Sequence, residues 1–356
     1  MLVKQIAVNN RIKKSLQFIL SLGLMGLFLY WAFSGIDTRD LWQTISTISA
    51  KWVALIFATT MLTLTLRAWR WIVLLKPFAP QVKNLDASLA LAICYTANVI
   101  VTRSGEALRA ISLKWTRGAP ISAVLATVVV ERFLDLFWLI VYLGASLLLL
   151  RDRINEAFPW LESGSLAVLA LSIAGLVILV LISIYRERAL AFIDPILKRF
   201  IPPWADKITS LLETFIQGLV ALQHPSAYIK LIASSILLNT LYVCIIWETF
   251  AGLGLDQKYG LGFEAALVIM AISSIGIVIP TQGGIGTYHL FFSKGLNLLY
   301  DVPMSEALAC ATLAHALATL TYLLIGGPAL FWQWRQNRAG KSASAVPTFP
   351  SEHPND

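Results

Sequence analysis

The run from Ile121 to Leu150 is thirty residues long and almost wholly apolar, yet Glu131, Arg132 and Asp135 stand in its middle. About 20 predominantly apolar residues suffice for a helix to cross a bilayer, so this run reads as one spanning helix. At about 1.5 Å of rise per residue, Glu131 lies about 15 Å in from Ile121, near the midplane of a hydrocarbon core about 30 Å thick. A charged side chain at that depth costs at least about 2.5 kcal/mol and by default marks a functional site. Glu131 and Asp135 are four residues apart and share a helix face; Arg132 and Asp135, three apart, are within pairing reach. The expected reason for such a site is a polar cargo. The alternative is a structural charge cluster that pins helices together.

Composition sets the class. Of the 356 residues, 57% are hydrophobic and 13% are charged, and mean hydropathy is +0.72. Soluble domains carry about 25% charged residues. The chain is therefore expected to be an all-α, polytopic integral membrane protein with about seven to eight transmembrane helices, plus re-entrant or broken helices and a cytoplasmic amphipathic helix. Cys94, Cys244 and Cys310 fall in apolar segments and suggest no disulfide framework. The four histidines lack metal-ligand spacing, so neither metal nor cofactor is expected. The net charge of +8 follows membrane topology, and no nucleic-acid partner is expected.

The layout divides into a basic cytoplasmic N-terminus (1–14), a transmembrane domain (15–334) and a disordered cytoplasmic tail (335–356). Full spans are expected at about 15–33, 52–75, 121–150, 165–185, 229–251, 263–280 and 305–331. Residues 87–102 are apolar but short. Crossing there would put Arg103, Arg109, Lys114 and Arg117 on the wrong side of a positive-inside topology. A re-entrant helix resolves this, provided protein or a water-filled cavity covers it. With that reading, 20 basic residues lie inside and 6 outside, which places both termini in the cytoplasm and the protein in the cell (inner or plasma) membrane. Within 204–223, Ile208, Leu211, Leu212, Phe215 and Leu219 recur at helical spacing, so this amphipathic helix lies on the inner surface or against the protein's own cytoplasmic face.

Two further motifs carry chemistry. In Arg103-Ser-Gly-Glu106-x-x-Arg109 the three charged residues are spaced by three and would form one helical ladder, with Gly105 allowing a bend or a close helix approach. Guanidinium forks match phosphate bidentately. The competing reading is an ordinary basic inner-surface loop. After Pro280, the glycines Gly283, Gly284 and Gly286 break a helix inside an apolar region. Such a break frees backbone donors and aims a positive half-helix end at a ligand; the alternative is a tight turn. Tyr288 and His289 follow within reach of a headgroup. Arg67 and Arg70 are expected to snorkel to the interface, and Glu248 to sit close enough to a surface to be solvated. No nucleophile elbow, zinc-protease motif, phosphate loop or sugar-nucleotide loop occurs, so no enzyme is expected.

Four elements fall in order: Arg67-Ala-Trp-Arg70-Trp71, Arg103-Ser-Gly-Glu106-x-x-Arg109, Glu131-Arg132-x-x-Asp135 and Pro280-x-x-Gly283-Gly284-x-Gly286. Over about residues 10–335 the chain resembles the lysylphosphatidylglycerol synthase transmembrane-region family, a flippase-like module also found alone. The resemblance implies re-entrant segments and a polar cavity for lipid headgroups. In bifunctional members the module is thought to move aminoacylated phospholipid between leaflets, followed by a soluble aminoacyl-transferase domain. Here the chain stops about twenty residues past the last expected span, so synthase activity is expected to be absent. Family members often carry an acidic residue shortly after the glycines, where this chain has Tyr288 and His289.

The resulting expectation is a lipid translocase. Arg103, Arg109 and Arg132 take the phosphate of a phospholipid or polyprenyl-linked lipid. Glu106, Glu131 and Asp135 orient them or receive an amine or proton. Gly283, Gly284 and Gly286, with Tyr288 and His289, supply donors and a hinge. The expected partners are membrane lipids and a membrane lipid-modifying enzyme or glycosyltransferase. The rivals are a non-transporting scaffold or regulator of such an enzyme and a small-solute or ion-coupled transporter.

Overall fold

The computed structural model describes residues 19–344 except residue 224. The expected basic N-terminus 1–14 lies outside the described residues. Within the described residues the chain is helical without strands, the form in which an apolar segment satisfies its own backbone hydrogen bonds in lipid.

The elements are α1 (Ile19–Phe33), α2 (Thr38–Ser46), α3 (Ala50–Leu75), α4 (Asn84–Ile100), α5 (Gly105–Arg117), α6 (Ile121–Ala157), α7 (Leu161–Ile184), α8 (Arg186–Phe200), α9 (Ala205–Gln217), α10 (Pro225–Gly252), α11 (Leu255–Tyr259), α12 (Phe263–Val278), α13 (Thr287–Tyr300) and α14 (Met304–Ser344). Five helices are long and apolar enough to cross a membrane: α3, α6 up to Leu150, α7 from Leu166, α10 and α14; the α1–α2 pair, bent by 84°, makes a sixth if taken as one span. The spanning part of α6 ends at the expected residue because Leu150 leaves helical geometry (φ −139°).

The rest of the apolar chain forms two hairpins of short helices. In the first, α4 and α5 run antiparallel. Asp86 at the start of α4 pairs with Arg117 at the end of α5 (2.8 Å), and near the tip a methyl on Gly105 would collide with the Cys94 carbonyl. In the second, α12 and α13 run antiparallel, with Gly276 against the backbone of Thr287 and Gly295 against Ile269. At 17 and 16 residues, α4 and α12 measure about 25 Å, less than the hydrocarbon core. The expected span at 263–280 is thus a short helix paired with α13, and 87–102, expected to be re-entrant, is a short helix paired with α5. The hairpin tips meet: Gly283 packs against Val99.

The long helices clasp these hairpins. Antiparallel α3 and α10 are joined by Thr59–Glu248, Arg67–Tyr242 and Arg70–Ser235 hydrogen bonds. Gly326 of α14 is pressed onto the Ala92 carbonyl of α4, the close backbone approach that small residues allow between membrane helices.

The amphipathic helix at 204–223 is α9, and of its two expected placements it takes the one against the protein: Ile216 is buried and Gly218 abuts Ala123 of α6. A second amphipathic helix, α8, packs on α9, whose Thr209 donates to Asp194 at 3.1 Å; it has no buried residue and carries Phe192, Ile196 and Phe200 exposed along one stripe. On its other face Lys198 pairs with Asp194 at 2.7 Å and holds that carboxyl below the usual carboxylate range. The tail from residue 335 begins as helix, since α14 continues to Ser344; Arg335 and Arg338 lie over the rings of Phe331 and Trp334. Residues 345–356 lie outside the described residues.

Candidate functional site

Three helices each contribute one turn of charge. From α3 come Arg67 and Arg70, from α5 Glu106 and Arg109, and from α6 Glu131, Arg132 and Asp135. Spacings of three and four put each set on one face, and the α4–α5 hairpin carries its own set inward to meet the others.

Arg70 is at the centre. Its Nη2 donates to Asp135 Oδ1 at 2.7 Å and lies 3.7 Å from Glu131 Oε1, while its Nη1 donates to Ser235 at 3.2 Å. Arg67 donates to Asp135 Oδ2 at 2.6 Å and to the Tyr242 hydroxyl at 3.1 Å. Arg109 Nη1 lies 2.8 Å from Glu131 Oε2, and its guanidinium is 4.7 Å from the ring centre of Trp71. Trp71 is itself held by its indole N–H to Thr127 of α6 at 2.8 Å. Arg132 reaches Glu106 at 3.3 Å and Asp135 at 3.8 Å.

Burial grades across the cluster. Arg70, Arg109 and Glu131 are wholly buried and Arg67 nearly so. The Asp135 side chain is 28% exposed, Glu106 25% and Arg132 47%. A closed, buried inner layer therefore backs an accessible front of one cation and two carboxylates. The cluster holds four guanidiniums and three carboxylates, an excess of one positive charge. Its buried atoms are not all satisfied: Nε of Arg67, Arg70 and Arg109, both Nη of Arg109, and both carboxylate oxygens of Glu131 have no well-aligned hydrogen bond. The Arg109–Glu131 contact is close but poorly directed.

The sequence-predicted residues divide. Glu106, Arg109, Glu131, Arg132 and Asp135 come together. The Arg103–Glu106–Arg109 ladder does not form. Arg103 precedes α5 in a left-handed conformation (φ +59°), exposed at the hairpin tip; Glu106 turns to Arg132 and Arg109 to Glu131. Arg67 and Arg70 do not snorkel; they are the cluster's inner cations. One signal for this was available, because Trp71-Ile-Val-Leu-Leu75 continues the apolar helix beyond them. Tyr242, Ser235 and the stacked pair Tyr95–Tyr322 (centroids 4.3 Å apart), with Tyr95 6.0 Å from Arg67, were also missed. Single hydroxyls on apolar helices carry no such signal.

The glycine break forms a second, separate centre. Gly283, Gly284 and Gly286 all have positive φ (+57°, +80° and +88°), which favours glycine. Two of the donors expected to be free are used internally: Gly284 N–H reaches Thr281 O at 3.4 Å, and Gly286 N–H reaches His289 Nδ1 at 3.4 Å. The Gly283 carbonyl is 2.9 Å from His315 Nε2. Tyr288 and His289 are buried against His315, each ring centroid 5.1 Å from it, and α1 closes over Gly286. The break is packed by protein, and α4, α12 and α14 each run between it and the helices of the arginine cluster.

The transmembrane-region model of lysylphosphatidylglycerol synthase matches residues 18–326. Glycosyltransferase AglD of Haloferax volcanii is 22% identical over 345 residues, 91% of this chain; the chain spans 55% of that protein's length. No solved structure matches. The family match covers the three charge-bearing helices and the glycine break alike, and the chain belongs to the lysylphosphatidylglycerol synthase transmembrane-region family.

Proposed function

We propose that the protein binds the anionic headgroup of a membrane lipid at the arginine cluster and moves it between leaflets. One observation carries this reading: four arginines and three carboxylates converge among apolar helices with one positive charge in excess, while Arg132 stays 47% exposed. An uncompensated cation at membrane depth is costly, and a phosphate would neutralise it. Arg132 is the contacting group, with Glu106 and Asp135 beside it to orient its fork or receive an amine. Arg67, Arg70 and Arg109 supply the field behind them. The meeting of the two hairpin tips at Val99 and Gly283 offers the hinge. The cell membrane is the proposed location, with both termini cytoplasmic. Arg67, Arg70 and Arg109 are interior and leave the inner side with seventeen basic residues against six, so the bias persists.

The test is headgroup movement in reconstituted vesicles. Wild type is expected to exceed protein-free vesicles, and Arg132→Ala to fall to their rate. Equal rates for both proteins would remove the site assignment.

A second reading draws on the relative named as a glycosyltransferase, in which the aligned region is about half the protein. Here the chain is a module that presents a polyprenyl-phosphate-linked lipid to a membrane glycosyltransferase or other lipid-modifying enzyme without transporting it. Co-purification of such a lipid with wild type, and no vesicle movement of it, would favour this reading.

A further inference from the structure

Every acid of the arginine cluster has a counter-charge; Glu248 has none. It lies on α10 one turn before the helix ends at Gly252, only 6% exposed, and is not solvated as its position suggested. Thr59 of α3 donates a hydrogen bond to its Oε1 at 2.8 Å. Its Oε2 is buried without a hydrogen-bond partner.

The charged and titratable groups on the surrounding elements are engaged or distant. On α3, Lys51 is exposed and Arg67 and Arg70 are held by Asp135. On α11, Lys258 and the Tyr259 hydroxyl are held by Glu306 of α14, and Asp256, in the first turn, is a second acid and supplies no counter-charge. On α12 the only such group is Glu264, in its first turn. On α14, His315 is bonded to Gly283 and Tyr322 is stacked on Tyr95, while Cys310 is buried in the apolar core beside α12 and α13. On α10 itself, Tyr242 accepts from Arg67 and Cys244 is a free cysteine one turn away. A carboxylate removed from water without a cation is too costly to remain ionised; the neutral acid is the form such burial permits.

Glu248 also ends a polar path. Thr59, Thr63, Arg67 and Arg70 follow one another on α3 at intervals of four, four and three, which is one helix face, and all four are buried. From Thr59 to Arg67 is about 12 Å along the helix. An apolar spanning helix thus carries a buried polar stripe from Glu248 to the Arg67–Asp135 pair, whose carboxylate is partly exposed.

We infer that Glu248 is a proton-binding site within the membrane: Oε2 carries a proton, and the O–H bond breaks to hand it to water, leaving a carboxylate held by the Thr59 hydroxyl. The inference does not depend on the identity of the cargo.

Infrared difference spectra of the full chain in lipid, wild type minus Glu248→Gln, test it directly. At pH 6 we expect a protonated-carboxyl C=O band present in wild type and absent from the variant, shifting on transfer to D2O and diminishing at pH 9. Thr59→Val, which removes the hydrogen bond to Oε1, should move that band without abolishing it. No band at pH 6 would mean an ionised Glu248, and a band that neither exchanges in D2O nor responds to pH would mean a sealed structural acid; either overturns the inference. The proposed lipid site fails by a different readout, the rate of headgroup movement with Arg132→Ala.

Discussion

The arginine cluster and the glycine break both interrupt an apolar interior with polar groups, and they resolve the problem in opposite ways. At the cluster, charge answers charge. Three helices bring guanidiniums and carboxylates together, and the front pair, Arg132 and Glu106, stays accessible. At the break, side chains answer backbone: His315 meets the Gly283 carbonyl, His289 meets the Gly286 N–H, and α1 packs over the turn. Polar groups at depth therefore do not mark a ligand site by themselves. What distinguishes the cluster is a residual charge and an open side; the break has neither, and its glycines serve conformation and close packing.

The sharpest way to break this comparison is to unbalance the cluster's buried layer. Arg109→Leu leaves Glu131 wholly buried beside Arg70 alone, at 3.7 Å. Removing one partner of a buried pair costs about 3–5 kcal/mol, whereas replacing both with apolar residues is often neutral. We expect a large fall in thermal midpoint for detergent-purified Arg109→Leu and recovery of most of it in Arg109→Leu/Glu131→Leu. A double variant no better than the single would mean that the pair's value lies in Arg109's packing on Trp71.

The next effect belongs to the break. A methyl at Gly286 would lie 2.9 Å from the Met25 carbonyl oxygen and 3.0 Å from the Leu29 nitrogen, in a residue with φ +88°. Left-handed strain alone costs about 1–3 kcal/mol, and backbone of α1 cannot rotate aside as a side chain would. Gly327, inside α14 with open space around it, is the internal control: alanine there is expected to be neutral or stabilising by up to about 1 kcal/mol. A loss at Gly286 no larger than the left-handed strain of about 1–3 kcal/mol would show that α1 does not close the break in solution.

Legibility follows the same division. The spanning helices were readable because each is a long apolar run, and the charges of α6 stood out against one. The α4–α5 hairpin was readable from its shortness together with the charge bias. What was not readable was direction. Spacing put Arg103, Glu106 and Arg109 on a common face, but which helix that face meets depends on how α5 folds back on α4, and the left-handed turn at Arg103 removes it from the helix altogether. Arg67 and Arg70 were misread because a basic pair beside tryptophans near a helix end usually lies at an interface. Only their counter-charges on α6, some sixty residues away in sequence, make them interior.

The smallest expected effect on stability is paired with the largest on ligand. Arg132 is 47% exposed, and its contacts to Glu106 and Asp135 are long at 3.3 and 3.8 Å, so its removal should cost less than about 1 kcal/mol. Arg132→Ala is expected to unfold almost as wild type does. It also takes the cluster from one excess positive charge to none, so an anionic headgroup gains no net attraction there. Arg132→Lys separates the two contributions: it keeps the charge but replaces a planar fork by a compact ammonium, which loses bidentate recognition of phosphate. Native mass spectrometry of co-purified lipid should therefore rank wild type above Arg132→Lys, and Arg132→Ala last. If Arg132→Ala retains its lipid, the accessible face is not where the headgroup binds, and openness loses its meaning as the property that separates cluster from break.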